Sequence, residues 1–261
     1  MIQGWFRVLR NQELSPLNYR LIFESPFIAK HARPGQFVAV GAAGCLLKRP
    51  FSVGDVSGSR VILLYKVVGK ATAAMAALRR GDAIDVIGPL GIPFSDVASW
   101  YQKIYVAGGV GVPPLYFLAR NQSKGNKQDR VFVGARTKSD LLYVPQFKKL
   151  GLSVSIATED GTAGQKGYVT LSFQKLLKKI SPALRKHVVV FSCGPKLMMK
   201  AVAKICEDAN VPCMASLEEV MGCGIGVCMG CVVKVKHDDG FLYQRVCREG
   251  PVMETDKILW E

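Results

Sequence analysis

A glycine-rich cysteine loop constrains this chain more strongly than any other feature. Three thiols follow the spacing C-x4-C-x2-C and a fourth comes after fifteen further residues; they are Cys223, Cys228, Cys231 and Cys247. Four thiolates at this spacing hold plant-type [2Fe–2S] clusters. Glycines alternate with the thiols, because a loop around an inorganic core needs positive φ angles and N–H groups that point at sulfur. We predict a two-iron cluster; the alternatives are unliganded thiols and zinc, which more often uses two C-x2-C pairs.

The bulk properties describe an ordinary globular chain. Its 261 residues predict about two domains, each with its own core. The hydrophobic share is 49%, yet no run of 18 apolar residues exists, so we predict no membrane span. Eight cysteines without a visible export signal indicate reduced thiols and a cytoplasmic protein.

The net charge of +15 is the one unusual bulk property. Such a charge is compatible with nucleic acid or a membrane surface. Lysine and arginine are spread along the chain, however, without an arginine-rich tract or a basic stripe studded with aromatics. We interpret the charge as solvated faces that attract phosphate-bearing cofactors or an acidic partner protein, and we expect no nucleic-acid binding. A basic zinc module that binds nucleic acid is the competing hypothesis from another class.

Residues 1–98 read as short strands separated by turn residues, which is typical of a small antiparallel barrel. The predicted strands are Gly4–Leu9, Tyr19–Glu24, Gln36–Val40, Pro50–Asp55, Arg60–Val67 and Ala83–Ile87. One helical insert is predicted over Thr72–Arg80, with Gly81 as its C-terminal cap.

From residue 99 strands alternate with helices, which predicts a doubly wound parallel sheet over 99–216. The predicted strands are Lys103–Ala107, Arg130–Ala135, Leu152–Thr158, His187–Ser192 and Cys213–Ser216, and the helices are Pro113–Asn121, Thr170–Lys179 and Lys196–Asp208. Residues 217–261 are too few for a core of their own, so we expect the metal cluster to organise them.

Two glycine turns follow strands of this sheet. Gly109 and Gly111 precede a helix, where backbone N–H groups can approach a pyrophosphate; a plain strand-to-helix turn is the alternative. Cys193, Gly194 and Pro195 follow the strand that ends near 192, at the sheet edge where ligands bind. Cys193 is therefore a candidate neighbour of a nicotinamide ring, or else a small buried thiol.

The third predicted strand ends in the acidic run Thr158-Glu159-Asp160-Gly161. Carboxylates beside an adenosine ribose favour a free 2′-hydroxyl and repel a 2′-phosphate. This run therefore favours NAD over NADP, although it is also compatible with an ordinary acidic turn.

The barrel half carries three short motifs whose chemistry suits a flavin dinucleotide. An arginine matches a diphosphate with its planar fork, a tyrosine offers a flat ring, and a turn that opens a helix offers N–H groups to phosphate. The candidates are Arg49, Pro50, Phe51, Ser52, Leu64, Tyr65, Lys66, Ala71 and Thr72. Each motif is weak alone, because such pairs occur by chance on many strands.

Taken in order, these motifs resemble the ferredoxin–NADP reductase superfamily over residues 1 to about 216. With its cysteine loop the whole chain resembles the electron-transfer subunits of type B dihydroorotate dehydrogenases. The resemblance implies an α+β multidomain chain with an FAD-binding antiparallel β-barrel at 1–98, an NAD-binding α/β domain at 99–216 and a [2Fe–2S] domain at 217–261. The barrel candidates would hold FAD, and the four cysteines the cluster. Ala71 departs from the family, which usually has glycine there.

The resemblance also implies a partner and a route for electrons. The partner is an FMN-containing dihydroorotate dehydrogenase catalytic subunit, in a heterotetramer with two copies of each chain. Electrons would pass from dihydroorotate through FMN, the cluster and FAD to NAD, with the cofactors doing the redox chemistry. The related alternative is an FAD and [2Fe–2S] subunit that serves ferredoxin, a sulfite reductase or a hydrogenase. Some of those relatives lack the first cluster cysteine, which this chain keeps as Cys223.

Overall fold

The first six strands close into an antiparallel barrel, as predicted. The structure, a computed structural model, describes residues 1–123 and 126–260. The strands are β1 (Ile2–Ser15), β2 (Asn18–Glu24), β3 (Phe37–Val40), β4 (Arg49–Ser57), β5 (Arg60–Lys66) and β6 (Ala83–Leu90). They follow one another around the barrel in the order β1-β2-β5-β4-β3-β6. Apolar side chains at alternate positions, among them Val8, Leu21 and Leu63, fill the interior and are fully buried.

Two short helices accompany the barrel. Helix α1 (Pro26–His31) was not predicted; the side chain of Ser25 caps it by accepting a hydrogen bond from the N–H of Ile28 at 3.3 Å. Helix α2 (Lys70–Ala76) starts two residues before the predicted Thr72 and ends before the predicted Arg80. The chain leaves the helix at Ala77 and turns towards β6.

The second part is a seven-stranded sheet with strand order β10-β9-β8-β7-β11-β12-β15. Its strands are β7 (Gln102–Gly108), β8 (Arg130–Ala135), β9 (Ser153–Thr158), β10 (Gln165–Lys166), β11 (Val188–Cys193), β12 (Cys213–Ser216) and β15 (Val252–Glu254). The helices are α3 (Val112–Gln122), α4 (Val144–Lys149), α5 (Val169–Lys179), α6 (Pro182–Arg185) and α7 (Lys196–Ala209). All pairs are parallel except that of β12 with β15, so the predicted doubly wound sheet is confirmed.

The cysteine-bearing segment is fastened to both other parts. It contains a hairpin of β13 (Val232–His237) and β14 (Gly240–Arg245), and its last strand, β15, pairs antiparallel with β12 through Ala215 and Met253. Its buried side chains share one hydrophobic cluster with Phe37 of the barrel and Met199 of α7. The three predicted regions are therefore packed together. Their limits at residues 98 and 216 stay predictions. Residue 261 lies outside the described part of the chain.

Within the described residues, no helix combines the length and the apolar character that a bilayer crossing requires.

Candidate functional site

One pocket with a volume of about 500 Å³ lies where the three parts of the chain meet. All nine residues that the sequence predicts for a flavin line it: Arg49, Pro50, Phe51, Ser52, Leu64, Tyr65, Lys66, Ala71 and Thr72. Strands β4 and β5 and helix α2 bring these motifs to one place although the sequence separates them. The remaining wall includes Val110 from the nucleotide-binding part and Leu217, Glu218, Glu219 and Met221 from the cysteine-bearing segment.

Arg49 opens strand β4 at the edge of the pocket. Its guanidinium donates a hydrogen bond to the carbonyl oxygen of Leu47 at 2.9 Å, which holds the side chain beside the pocket. The planar fork leaves further N–H groups that can bind a diphosphate.

Tyr65 forms a fixed wall of the pocket. Its hydroxyl donates to Oδ1 of Asn11 at 3.1 Å, and its ring stacks on Tyr19 with centroids 5.5 Å apart. Burial raises the pKa of Tyr65 to about 12, so the phenol is neutral at physiological pH. The ring is therefore a rigid, uncharged surface for a flat ligand.

Thr72 shapes the turn that precedes α2. Its hydroxyl accepts hydrogen bonds from the N–H groups of Val68 and Gly69 at 2.9 and 3.1 Å and donates to the carbonyl oxygen of Gly69 at 3.0 Å. Those two N–H groups therefore serve the turn, and phosphate would meet the following ones. Ala71 is 6% exposed and lines the pocket, so its methyl group faces the space that a phosphate would use.

The two glycines of the turn that follows β7 have different roles. Gly109 has φ +53°, and a Cβ there would meet open space, so its backbone is free to approach a ligand. A Cβ on Gly111 would lie 2.5 Å from the carbonyl carbon of Cys193, so that glycine allows the two turns to touch. Between them Val110 reaches the pocket, a contact that the sequence did not reveal.

Cys193 lies at the end of β11 and is 1% exposed. Burial and the nearby charge of Glu218 raise the pKa of this thiol, and a hydrogen bond with Ser216 opposes them only in part. The thiol is therefore protonated and inert. Gly194 and Pro195 continue the same turn towards α7.

Glu218 is the most notable pocket residue without a role in the sequence interpretation. Solvent in the concave pocket still reaches it, but protein surrounds it closely enough that burial raises its pKa. Met221 and Pro251 line the pocket too. These residues come from a segment whose packing no local pattern predicts.

The four predicted cluster cysteines come together as two pairs. In one pair, N–H groups of Val227 and Cys228 lie 3.3 and 3.4 Å from Sγ of Cys223, and the N–H of Cys223 lies 3.5 Å from Sγ of Cys228. In the other, the N–H of Cys247 lies 3.4 Å from Sγ of Cys231. The backbone therefore points hydrogen-bond donors at sulfur, as a thiolate cluster requires.

The electrostatics of the loop suit thiolates. Burial works to raise the pKa of Cys223, but N–H donors of Ile225, Cys228 and Val227 outweigh it and lower the value to about 6. Burial and the neighbouring Cys231 thiol raise the pKa of Cys247 to about 12, so a bound metal centre must supply the charge that keeps it ionised. No three cysteine, histidine or acidic side chains of residues 1–123 and 126–260 converge on a single-ion position. The two thiol pairs fit one ligand pair for each iron of a two-iron cluster.

The pocket and the cysteine loop are neighbours. Met221 lines the pocket, is 8% exposed and stands two positions before Cys223. A Cβ on Gly224 would lie 3.7 Å from Cβ of Ala39 in β3, which places the loop directly against the barrel. Electrons could therefore pass between the two sites over a short, packed distance.

This arrangement defines an iron–sulfur flavoprotein oxidoreductase with the fold of ferredoxin reductases. Two family models match the chain: the iron–sulfur cluster binding domain of dihydroorotate dehydrogenase B over residues 218–259, and the oxidoreductase NAD-binding domain over 105–204.

Curated relatives extend the match to nearly the full length. The dihydroorotate dehydrogenase B (NAD(+)) electron transfer subunit of Caldanaerobacter subterraneus subsp. tengcongensis is 37% identical over 97% of both chains. That of Desulforamulus reducens is 38% identical over 98% of this chain and 97% of its own. The chain belongs to the family of electron transfer subunits of dihydroorotate dehydrogenase B.

Solved structures share the fold of this chain. An NADH-dependent reduced ferredoxin-NADP oxidoreductase, described for flavin-based electron bifurcation, superposes with a TM-score of 0.86 at 30% identity over 98% of this chain and 90% of that one. The ferredoxin reductase of a carbazole 1,9a-dioxygenase, at 18% identity and a TM-score of 0.69 over 81% of this chain and 67% of that one, shares the fold. The predicted cofactors, FAD, a [2Fe–2S] cluster and NAD, are confirmed by these matches.

Proposed function

We propose that this chain carries electrons between NAD and a separate FMN-containing catalytic subunit that oxidises dihydroorotate to orotate. One observation supports this above all: a single pocket is lined by the barrel motifs, by Val110 of the nucleotide turn and by Met221 beside the cysteine loop. A group bound there lies between a nucleotide site and a cluster site.

The residues divide the binding work among themselves. Arg49 and the turn before α2 would bind the FAD phosphates, while Tyr65 and Phe51 would line the space for the flavin ring system. Gly109, with its open backbone, would approach the NAD pyrophosphate, and the two thiol pairs would ligate the irons. When bound, FAD exchanges two electrons with NAD and single electrons with the cluster. The protein sets the distance and exposure of each site.

The cluster loop carries the surface through which electrons from a partner would enter this chain. Its thiol Cys228 is exposed, and three apolar neighbours are exposed with it: Val220 at 85%, Val227 at 75% and Met229 at 50%. Clusters of exposed apolar side chains are typical of protein interfaces. We place the catalytic subunit on this surface, in a heterotetramer with two copies of each chain, and the excess of +15 charges favours an acidic partner.

Three further assignments belong to this proposal. The acidic end of β9 favours NAD over NADP, since Glu159 is exposed there. The limits at 98 and 216 separate FAD, NAD and cluster regions. None of the eight cysteines is joined in a disulfide, which supports a cytoplasmic location.

A second candidate partner is ferredoxin, because a structural relative that matches 98% of this chain is a ferredoxin-NADP oxidoreductase. The two are separated by mixing the anaerobically purified chain with an FMN-containing dihydroorotate dehydrogenase or with ferredoxin. We expect a stable complex with the dehydrogenase and dihydroorotate-dependent reduction of NAD. Reduction of ferredoxin alone, without complex formation or orotate, would overturn the proposal.

A further inference from the structure

Helix α3 packs directly on the strand that carries the flavin motif. A Cβ placed on Gly54 of β4 would lie 2.9 Å from Cβ of Pro113, in the first turn of α3. Pro113 is buried, and Val110, three residues before it, lines the pocket. The turn that faces the nucleotide and the strand that lines the flavin pocket are therefore in contact, without room for an added methyl group.

An ion pair fastens the same two elements farther along the helix. Nη2 of Arg120 lies 2.9 Å from Oδ1 of Asp55 and donates to the carbonyl oxygen of Val56 at 3.0 Å. Oδ1 of Asp55 also accepts the N–H of Val56 at 2.9 Å. Asp55 is 8% exposed, and the Arg120 guanidinium stands 5.8 Å above the ring of Phe117. The guanidinium is thus held by contacts on both elements.

Such a pair is sensitive to geometry. A largely buried carboxylate needs its partner, because removal of the cation leaves a charge without compensation. An ion pair and a hydrogen bond from the same nitrogen to adjacent residues of β4 also fix the direction of the guanidinium. Since α3 begins at the nucleotide turn and β4 begins at the flavin motif, a shift at this pair is carried to both sites.

We infer that Asp55 and Arg120 are positioning residues for hydride transfer, which with the Gly54–Pro113 contact set the separation between the nucleotide turn and the flavin strand. The inference rests on the proposed function. In the step concerned, NADH transfers one hydride to FAD. A hydride consists of two electrons and one proton, so the products are NAD and reduced FAD. The reverse transfer uses the same geometry. Neither residue lines the flavin pocket, so they act through the backbone elements that do.

The test uses the full chain loaded with FAD and cluster. Arg120→Gln is compared with Arg7→Gln, which removes an arginine of similar geometry, 2.8 Å from Glu24, from the exposed surface of the barrel. With Arg120→Gln we expect FAD reduction at saturating NADH to slow by about tenfold or more, because displacements below 1 Å misalign reacting atoms. FAD content, half-saturating NADH and reduction of FAD through the cluster should stay within about twofold. Arg7→Gln should leave all of these unchanged.

A second readout needs no loaded cofactor. In the chain stripped of FAD, Arg120→Gln should increase hydrogen exchange in β4 and α3, whereas Arg7→Gln should not. If Arg120→Gln cannot be purified as a folded chain, Gly54→Ala replaces it, since its methyl group pushes against Pro113. Gly4→Ala is the control, because its Cβ would meet Phe6 only at an ordinary 3.6 Å.

The inference is overturned if the variant reduces FAD with NADH as fast as the unmodified chain, or if hydride transfer and cluster-side reduction fall together. Failure of the proposed function looks different, because then the unmodified chain itself would not accept electrons from NADH or would not pass them to the dehydrogenase.

Discussion

The backbone N–H of Cys247 lies 3.4 Å from Sγ of Cys231, although 16 positions separate the two residues. The hairpin of β13 and β14 produces this contact, since Val232 pairs with Arg245 at its open end. A pair of strands thus holds the second thiol pair, while the first lies in the glycine-rich loop. Because Cys228 of the first pair is exposed, we expect its replacement to disturb the cluster more than the packing of the protein.

Cys228→Ser tests the cluster assignment. Loss of the thiolate of Cys228 from its pair with Cys223 should remove most of the iron and acid-labile sulfide, because a hydroxyl is a poor ligand for the cluster. FAD content and NADH-dependent reduction of small dyes should remain. Metal analysis and the visible spectrum measure this, with Cys45→Ser as the control outside the loop. Full iron content in Cys228→Ser would show that the ligand set is wrong.

Arg49→Ala tests the diphosphate site. Removal of a charge-assisted fork should weaken FAD binding by about tenfold to a hundredfold. The flavin content after gel filtration and titration of the stripped chain with FAD measure the effect. Arg60→Ala, on the exposed start of β5, is the matched control. Equal flavin retention by the two variants would count against the assigned role of Arg49.

Glu159→Arg tests the preference for NAD. Of the two carboxylates that follow β9, Asp160 is engaged, because its Oδ1 accepts the N–H and hydroxyl of Thr162 at 2.9 and 2.7 Å. These bonds lower the pKa of Asp160. These bonds keep the charge of Asp160 but fix its side chain on Thr162, so we expect Glu159 to be the carboxylate that approaches a bound ribose. Its replacement by arginine should raise the use of NADPH relative to NADH by about tenfold. Asp160→Asn should change that ratio far less; an unchanged ratio in Glu159→Arg would place discrimination elsewhere.

Asp129→Asn tests a buried hydrogen-bond network at the start of β8. Asp129 is fully buried, accepts the N–H of Lys103 at 2.8 Å and the hydroxyl of Ser123 at 2.6 Å, and burial raises its pKa above 3.8. The folded state therefore holds this proton more tightly than the unfolded state. Its stabilising contribution is complete below pH 3.8 and is lost as pH rises through the folded pKa.

Asparagine has nearly the shape of aspartic acid but does not ionise, so the variant does not lose this stability as the pH rises. Relative to the unmodified chain, Asp129→Asn should therefore gain a few degrees in unfolding temperature between about pH 4 and pH 7. Calorimetry at both values measures the change. The exposed Asp96→Asn should show no such gain, and a parallel pH profile in Asp129→Asn would rule out the titration of Asp129.

Local patterns predicted the barrel and the parallel sheet, because alternation and strand-helix periodicity reflect which face each element buries. The nine flavin candidates were weak as separate motifs and were assigned to FAD by the family resemblance; the fold gathers them in one pocket. The β13–β14 hairpin was missed, although Asp239-Gly240 between alternating residues is a turn signal. Residues 217–261 had instead been expected to be organised by the metal cluster.

Other features have no local signature. Strand β15 joins the sheet beside β12, about forty residues earlier in the chain, and Glu218 and Met221 enter the pocket through this packing. Contacts of this kind depend on how complete elements dock. The tight approach of Gly54 to Pro113 belongs to the same class.

The antiparallel strand β15 has a consequence for biogenesis. It completes the edge of the nucleotide-binding sheet, yet it follows all four cysteines in the order of synthesis. A ribosome therefore exposes every sulfur ligand before that sheet can close.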